Sequence, residues 1–132
     1  SHEDGLLGAD MLYGKYTIRL TTSNDVIMTT KNGNYPQYWY DKLIPLNNTN
    51  WQNIVINKYS STTAALYVNS IHRGDTGVAA WANWDTVVDT IGAWSNNINN
   101  FEGNIASIQF YNRALSANEI LHNYNALRGR FE

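Results

Sequence analysis

Short stretches in which apolar and polar residues alternate, each closed by Asn, Gly or Ser, constrain this chain more than any other feature. Tyr16, Ile18 and Leu20 stand against Thr17, Arg19 and Thr21, which places the apolar residues on one face of a strand. After Ser23 and Asn24, Asp25 to Thr30 reads as the return strand of a hairpin, and Lys31-Asn32-Gly33-Asn34 as the next turn, because Asn and Gly tolerate positive φ. Gln37 to Ile44 reads as a further strand with Trp39 on the opposite side to Tyr38 and Tyr40, closed by Pro45 and the Asn47-Asn48-Thr49-Asn50 run.

Trp51 to Tyr59 and Ala64 to Asn69 read as two strands of a meander around Ser60-Ser61-Thr62-Thr63. Gly74-Asp75-Thr76-Gly77 reads as a turn leading to strands at Val78 to Trp81 and Val87 to Ile91, with a loop over Asn96 to Asn100. Phe101 to Asn112 is the longest strand candidate. Ile105 and Ile108 lie an odd number of residues apart within it, which implies a bulge or burial on both faces. Trp51, ahead of Ile54-Val55-Ile56, reads as core.

One helix is expected. Ser116-Ala117-Asn118-Glu119 fits a capping box, in which the Ser hydroxyl accepts from the Glu119 amide and the Glu side chain reaches back to the Ser amide. Leu115 and Ile120 stand where a hydrophobic staple would place them. Ile120, Tyr124 and Leu127 continue at helical spacing, and Gly129 stands where a left-handed cap would end the helix.

At 132 residues the chain reads as a single domain over 1–132, large enough for one two-layer core. Charged residues make up 15% and the formal charge is -2, so there is no basic footprint for phosphates and no nucleic-acid partner is expected. There is no cysteine, which excludes disulfides and thiolate metal sites. No apolar run approaches the length of a membrane span. The fold class is therefore all-β, a sandwich with one short C-terminal helix.

The order of these parts resembles a known family. The segment from Phe101-Glu102-Gly103-Asn104-Ile105 through Phe110-Tyr111-Asn112-Arg113-Ala114-Leu115 to Ser116-Ala117-Asn118-Glu119-Ile120 is similar to the closing strand and helix of laminin G-like domains. These belong to the concanavalin A-like lectin and glucanase superfamily. Trp51-Gln52-Asn53-Ile54-Val55-Ile56 and Leu66-Tyr67-Val68-Asn69 resemble its paired central strands, and Ile91-Gly92 also fits. The resemblance covers roughly the final two thirds of the chain in the right order. It implies a two-sheet antiparallel jelly-roll sandwich, with Gly103 at a close backbone approach and Tyr111 and Tyr124 as large buried surfaces.

Family members carry additional strands before the position of Tyr16, where this chain has only Gly5, Gly8 and Gly14. The expectation is a sandwich shortened at its N-terminus. An uncovered edge is most simply closed by a second copy, so a homo-oligomer is expected.

The family's glucanases place their carboxylates at even spacing on one strand face. This chain lacks a Glu-x-Asp-x-x-Glu pattern, its acids Asp75, Asp85, Asp89 and Glu102 are dispersed, and Glu119 is committed to the cap. No catalytic residue and no enzymatic activity are expected. His2, His72 and His122 show no pattern for a triad or a metal cluster. Calcium is the metal related domains use, and Asp75, Asp85 and Asp89 are the carboxylates at hand, but no EF-hand pattern assigns ligands.

Sugar rings stack their CH faces on aromatic side chains while amides and carboxylates satisfy the hydroxyls. Two clusters offer this: Tyr35 and Trp39, and Trp81 with Trp84 beside Asn83 and Asp85. These six are the candidate ligand-binding residues. The functional expectation is a carbohydrate-binding or adhesion module at the cell surface, outside the cell or on a virion. The alternative is a structural or oligomerising module with no small ligand.

Overall fold

The structure, a computed structural model, describes residues 4–8, 17–20, 26–32, 35–41, 50–60, 63–77, 90–93 and 100–131. Side chains are described from residue 50 onward, except those of 76, 77 and 90. Among the described residues there are eight strands and one helix: β1 (Asp4–Gly8), β2 (Thr17–Leu20), β3 (Val26–Asn32), β4 (Tyr35–Asp41), β5 (Ile54–Lys58), β6 (Thr63–Val68), β7 (Ile71–Gly77), β8 (Thr90–Ile91) and α1 (Ala117–Arg128).

The first sheet has the order β4-β3-β2-β1-β8 and the second the order β5-β6-β7. All pairings are antiparallel. The chain lays down four neighbouring strands, crosses to the second sheet for three more, and returns to place β8 beside β1. That return past the intervening sheet is the Greek-key connection by which sandwiches close.

Period two correctly locates β2, β3 and β4. Thr17 pairs with Thr29 and Leu20 with Val26, while Trp39 pairs with Met28. Lys31 and Asn32, expected in a turn, still belong to β3, opposite Pro36 and Tyr35. The Gly-rich lead is not empty. Asp4–Gly8 is a strand with a bulge between Gly5 and Leu7, paired to both β2 and β8. Glycine is usually poor in strands, but a bulge accommodates it. The premise that no strand precedes Tyr16 is thus corrected, and the second copy inferred from it loses that ground.

In the second sheet, β6 is central and carries consecutive buried residues. Ala64, Leu66 and Val68 lie on one face and Ala65 on the other, all buried, so the sheet is covered on both sides. The β6–β7 hairpin turns through Asn69 and Ser70, with φ of 51° and 66° and Val68 paired to Ile71. Two positive φ values describe a type I′ turn, whose twist suits a two-residue hairpin. Asn69 further accepts from the Asn53 amide (2.9 Å) and donates to Gln52 Oε1 (2.8 Å), which ties the turn to the entry of β5.

The expectation of a turn at Gly74–Gly77 is overturned, since these residues complete β7. Leu66 pairs with Gly74 but Tyr67 with His72, so Arg73 is the extra residue of a bulge. Gly74 has φ +151°, a backbone state that side chains with a Cβ rarely adopt. Turn-forming composition here marks a bent strand, not its end.

Phe101 to Asn112 is not a strand either. Beyond the 2.8 Å bond from the Phe101 amide to the Gly92 carbonyl, the segment joins no ladder among the described residues, and Phe110 is 65% exposed. The odd spacing of Ile105 and Ile108 leaves it no single apolar face to bury. Tyr111, expected in the core, is exposed. Gly103 does sit at a close approach, because a Cβ there would meet the Phe101 ring at 2.5 Å.

The helix begins as its sequence requires. Ser116 Oγ accepts from the Glu119 amide (3.2 Å) and Glu119 Oε2 accepts from the Ser116 amide (2.8 Å). Ile120 is fully buried, Leu115, Tyr124 and Leu127 half-buried. Gly129 is right-handed at φ −65°, ψ −4°, and not the left-handed cap expected. Instead the Arg130 and Phe131 amides tighten the end by donating to Leu127 and Arg128 carbonyls.

What docks α1 is Asn57. This buried side chain, 6% exposed, donates from Nδ2 to the Leu115 carbonyl (2.8 Å) and accepts from the Leu115 amide at Oδ1 (2.9 Å). An amide side chain thereby presents to residue 115 the donor and acceptor a neighbouring strand would offer. At the other end, Trp51 meets Phe131 at 5.1 Å between ring centroids. Residues 51 to 57 span about 20 Å of extended chain, and the twelve residues of α1 about 18 Å of helix. The helix therefore runs along β5 in the opposite direction, fastened at both ends. Trp51, expected as core, is a 44% exposed half of this outer fastening.

Candidate functional site

β4 lies at one end of the described first sheet, and its backbone carries two of the six candidate residues, Tyr35 and Trp39. Being four apart on a strand, they share one side of it. The other four, Trp81, Asn83, Trp84 and Asp85, lie outside the described residues, as does Asp89.

The second sheet presents a polar cluster that the sequence reading missed. Val55 pairs with Tyr67, Asn57 with Ala65, Tyr67 with His72 and Ala65 with Asp75, so these residues share a face. Tyr59, two residues beyond Asn57, extends the row. Tyr59 is 48% exposed, and His72 and Asp75 are also at the surface.

His72 Nε2 lies 2.8 Å from Asp75 Oδ1, and the Tyr67 and His72 rings are 5.1 Å apart, tilted by 51°. Tyr59 hydrogen-bonds the same carboxylate. Chiefly because of that bond to Asp75, with lesser help from desolvation and the negative charge, the phenol is pushed up to about 12. Reciprocally, the bonds from Tyr59 and then from His72 hold the Asp75 carboxyl below its ordinary value. Asp75 is thus an ionised acceptor held between a phenol and an imidazole. The alternation of Tyr59 with Asn57, and of Tyr67 with Ala65, was the available signal. Reading Asp75 as a turn residue concealed that it stands opposite them.

A second concavity is an open groove of about 490 Å³ beside α1, between Tyr111, Arg113 and Leu115 on one side and Asn118, His122 and Asn123 on the other. Its polar groups bond to one another. Arg113 grips Glu119 with both terminal nitrogens (2.6 and 3.0 Å), Asn123 donates to the Tyr111 hydroxyl (3.1 Å), and that hydroxyl donates to Gln109 (2.9 Å). First the Arg113 bonds and then those of the Ser116 cap hold Glu119 down to about 2. A carboxyl so acidic holds no proton to donate near neutrality.

Among the described residues, no group of three or more His, Asp or Glu side chains gathers as a metal site would require. Asp75 already accepts from Tyr59 and His72. Among the described residues, no helix is long and apolar enough to cross a membrane.

Two antiparallel sheets and a capped helix docked along β5 define the class: an all-β domain with one helix. Its family follows from comparison. The profile described as "Concanavalin A-like lectin/glucanases superfamily", of laminin G type, matches residues 4–121. The chain belongs to this laminin G-like family of the concanavalin A-like superfamily. A solved structure, that of an S-layer domain-containing protein (residues 221–444) from Clostridium thermocellum, is similar at 17% identity and a TM-score of 0.43. The similarity covers 93% of this chain and 63% of that one, so the chain spans less than two thirds of that structure. None of the curated proteins compared matches the chain.

Proposed function

We propose that this chain is a non-catalytic carbohydrate-binding or adhesion module working outside the cell, at a cell surface or on a virion. The observation that carries the reading is the family match over residues 4–121, in a superfamily whose description spans lectins and glucanases. In this reading the two sheets complete an antiparallel jelly roll. The state of the acids favours the lectin side: Asp75 and Glu119 are both held ionised by fixed partners, which suits acceptors better than proton donors.

A glycan array probed with and without calcium tests the proposal, and the absence of binding to every glycan class contradicts it. Incubation with β-glucans tests the non-catalytic half, which released sugar would overturn.

One observation favours an assembly role instead. Phe110, Tyr111, Leu121 and Ile71 expose large apolar area, a liability that a second copy of the chain would relieve. Sedimentation beside the glycan array separates the readings: glycan binding supports the first, and a stable oligomer that binds no glycan supports the second.

A further inference from the structure

We propose that the outer face of β5–β7, at Tyr59, Tyr67, His72 and Asp75, is a binding site for neutral glycans. The inference rests on the carbohydrate-binding reading above and moves the site from the Trp and Tyr candidates of the sequence to a different sheet.

The chemistry required is an exposed aromatic ring and a fixed hydroxyl acceptor beside it. Tyr59 supplies the ring, exposed at the end of β5. Asp75 supplies the acceptor. A carboxylate has about four lone-pair sites, and Tyr59 and His72 leave part of that capacity for sugar hydroxyls while fixing its orientation. Because both partners donate to it, the carboxylate stays ionised and needs no rearrangement to accept again. Tyr67 backs the His72 imidazole, its ring centroid 5.1 Å away.

These residues are joined across three strands. Gly74 and the Arg73 bulge bend β7 so that His72 and Asp75, three apart in sequence, come onto one face beside each other. In a regular strand an odd spacing would send them to opposite faces. The ionised Asp75 also selects: it accepts from neutral sugar hydroxyls and repels sulfated or carboxylated sugars.

The test is titration of the intact chain with cellohexaose, laminarihexaose and mannohexaose, for the wild type and for Tyr59→Ala, Asp75→Asn and Trp39→Ala. Melting temperature and circular dichroism confirm that each variant is folded. The expected result is saturable binding of at least one hexaose, weakened at least tenfold by Tyr59→Ala and by Asp75→Asn and changed less than twofold by Trp39→Ala. Binding lost in Trp39→Ala but retained in the other two overturns this site and leaves the proposed function standing. No binding of any hexaose by the wild type overturns the neutral-glycan site, while the array, which includes acidic glycans, decides the broader reading.

Discussion

The two parts of the C-terminal third behave oppositely. From Leu115 onward the chain is fastened: Asn57 holds Leu115, the capping box starts the helix, and Phe131 meets Trp51. From Gly103 to Asn112 it is apolar enough to resemble a strand, yet it joins no ladder among the described residues and exposes Phe110 and Tyr111. What separates them is not hydrophobicity. The fastened part has backbone and side-chain polar groups that find defined partners, while the other has apolar residues over both sides that, among the described residues, pair with no strand. Apolar content alone makes a segment sticky, and directional bonds give it a place.

The strongest way to break this contrast is to remove the fastening. Asn57→Ala deletes two hydrogen bonds and strands the Leu115 amide and carbonyl, so it should cost about 2–3 kcal/mol of stability in denaturant unfolding. A loss comparable to a surface substitution would show that α1 docks by other means.

Next in size is the bend that shapes the outer face. Gly74→Ala meets nothing within 4 Å, so any cost comes from the backbone at φ +151°. The expected loss is ~1–2 kcal/mol, measured by the same unfolding curve.

A smaller effect sharpens the account of the cap. Glu119 is depressed from 4.5 to about 2 in the folded chain, so its contribution is fully present above pH 4.5 and is lost as pH falls toward 2. Melting temperature should therefore drop across that window, and Glu119→Gln should flatten that part of the profile.

The smallest effect is expected in the unpaired segment. Phe110→Ser should change stability by no more than about 0.5 kcal/mol. If the side chain lies in a dimer contact, the same substitution will instead shift the sedimentation profile toward monomer.

How much of this was legible in the sequence follows the same division. Alternation located β5 and β6 because Ile54, Ile56, Leu66 and Val68 keep strict period two, and Ser116 with Glu119 marked the helix start to the residue. β7 was hidden because Gly74, Asp75 and Gly77 are turn formers, and composition does not distinguish a bulge from a turn. β1 was hidden by its glycines in the same way. The Asn57 fastening was invisible because a polar residue in a strand reads as solvent-facing, and only its partner 58 residues away makes it interior. Of the proposed glycan face, Tyr59 and Tyr67 were in plain view but carried no meaning until the register set Asp75 and His72 opposite them.

The most direct test of the proposed glycan face is a map of where sugar touches the chain. An amide nuclear magnetic resonance titration of the labelled protein with the tightest-binding hexaose should shift residues of β5–β7, foremost Tyr59, Tyr67, His72 and Asp75, and leave Tyr35 to Asp41 unmoved. Shifts confined to β4, or none at all, would contradict it.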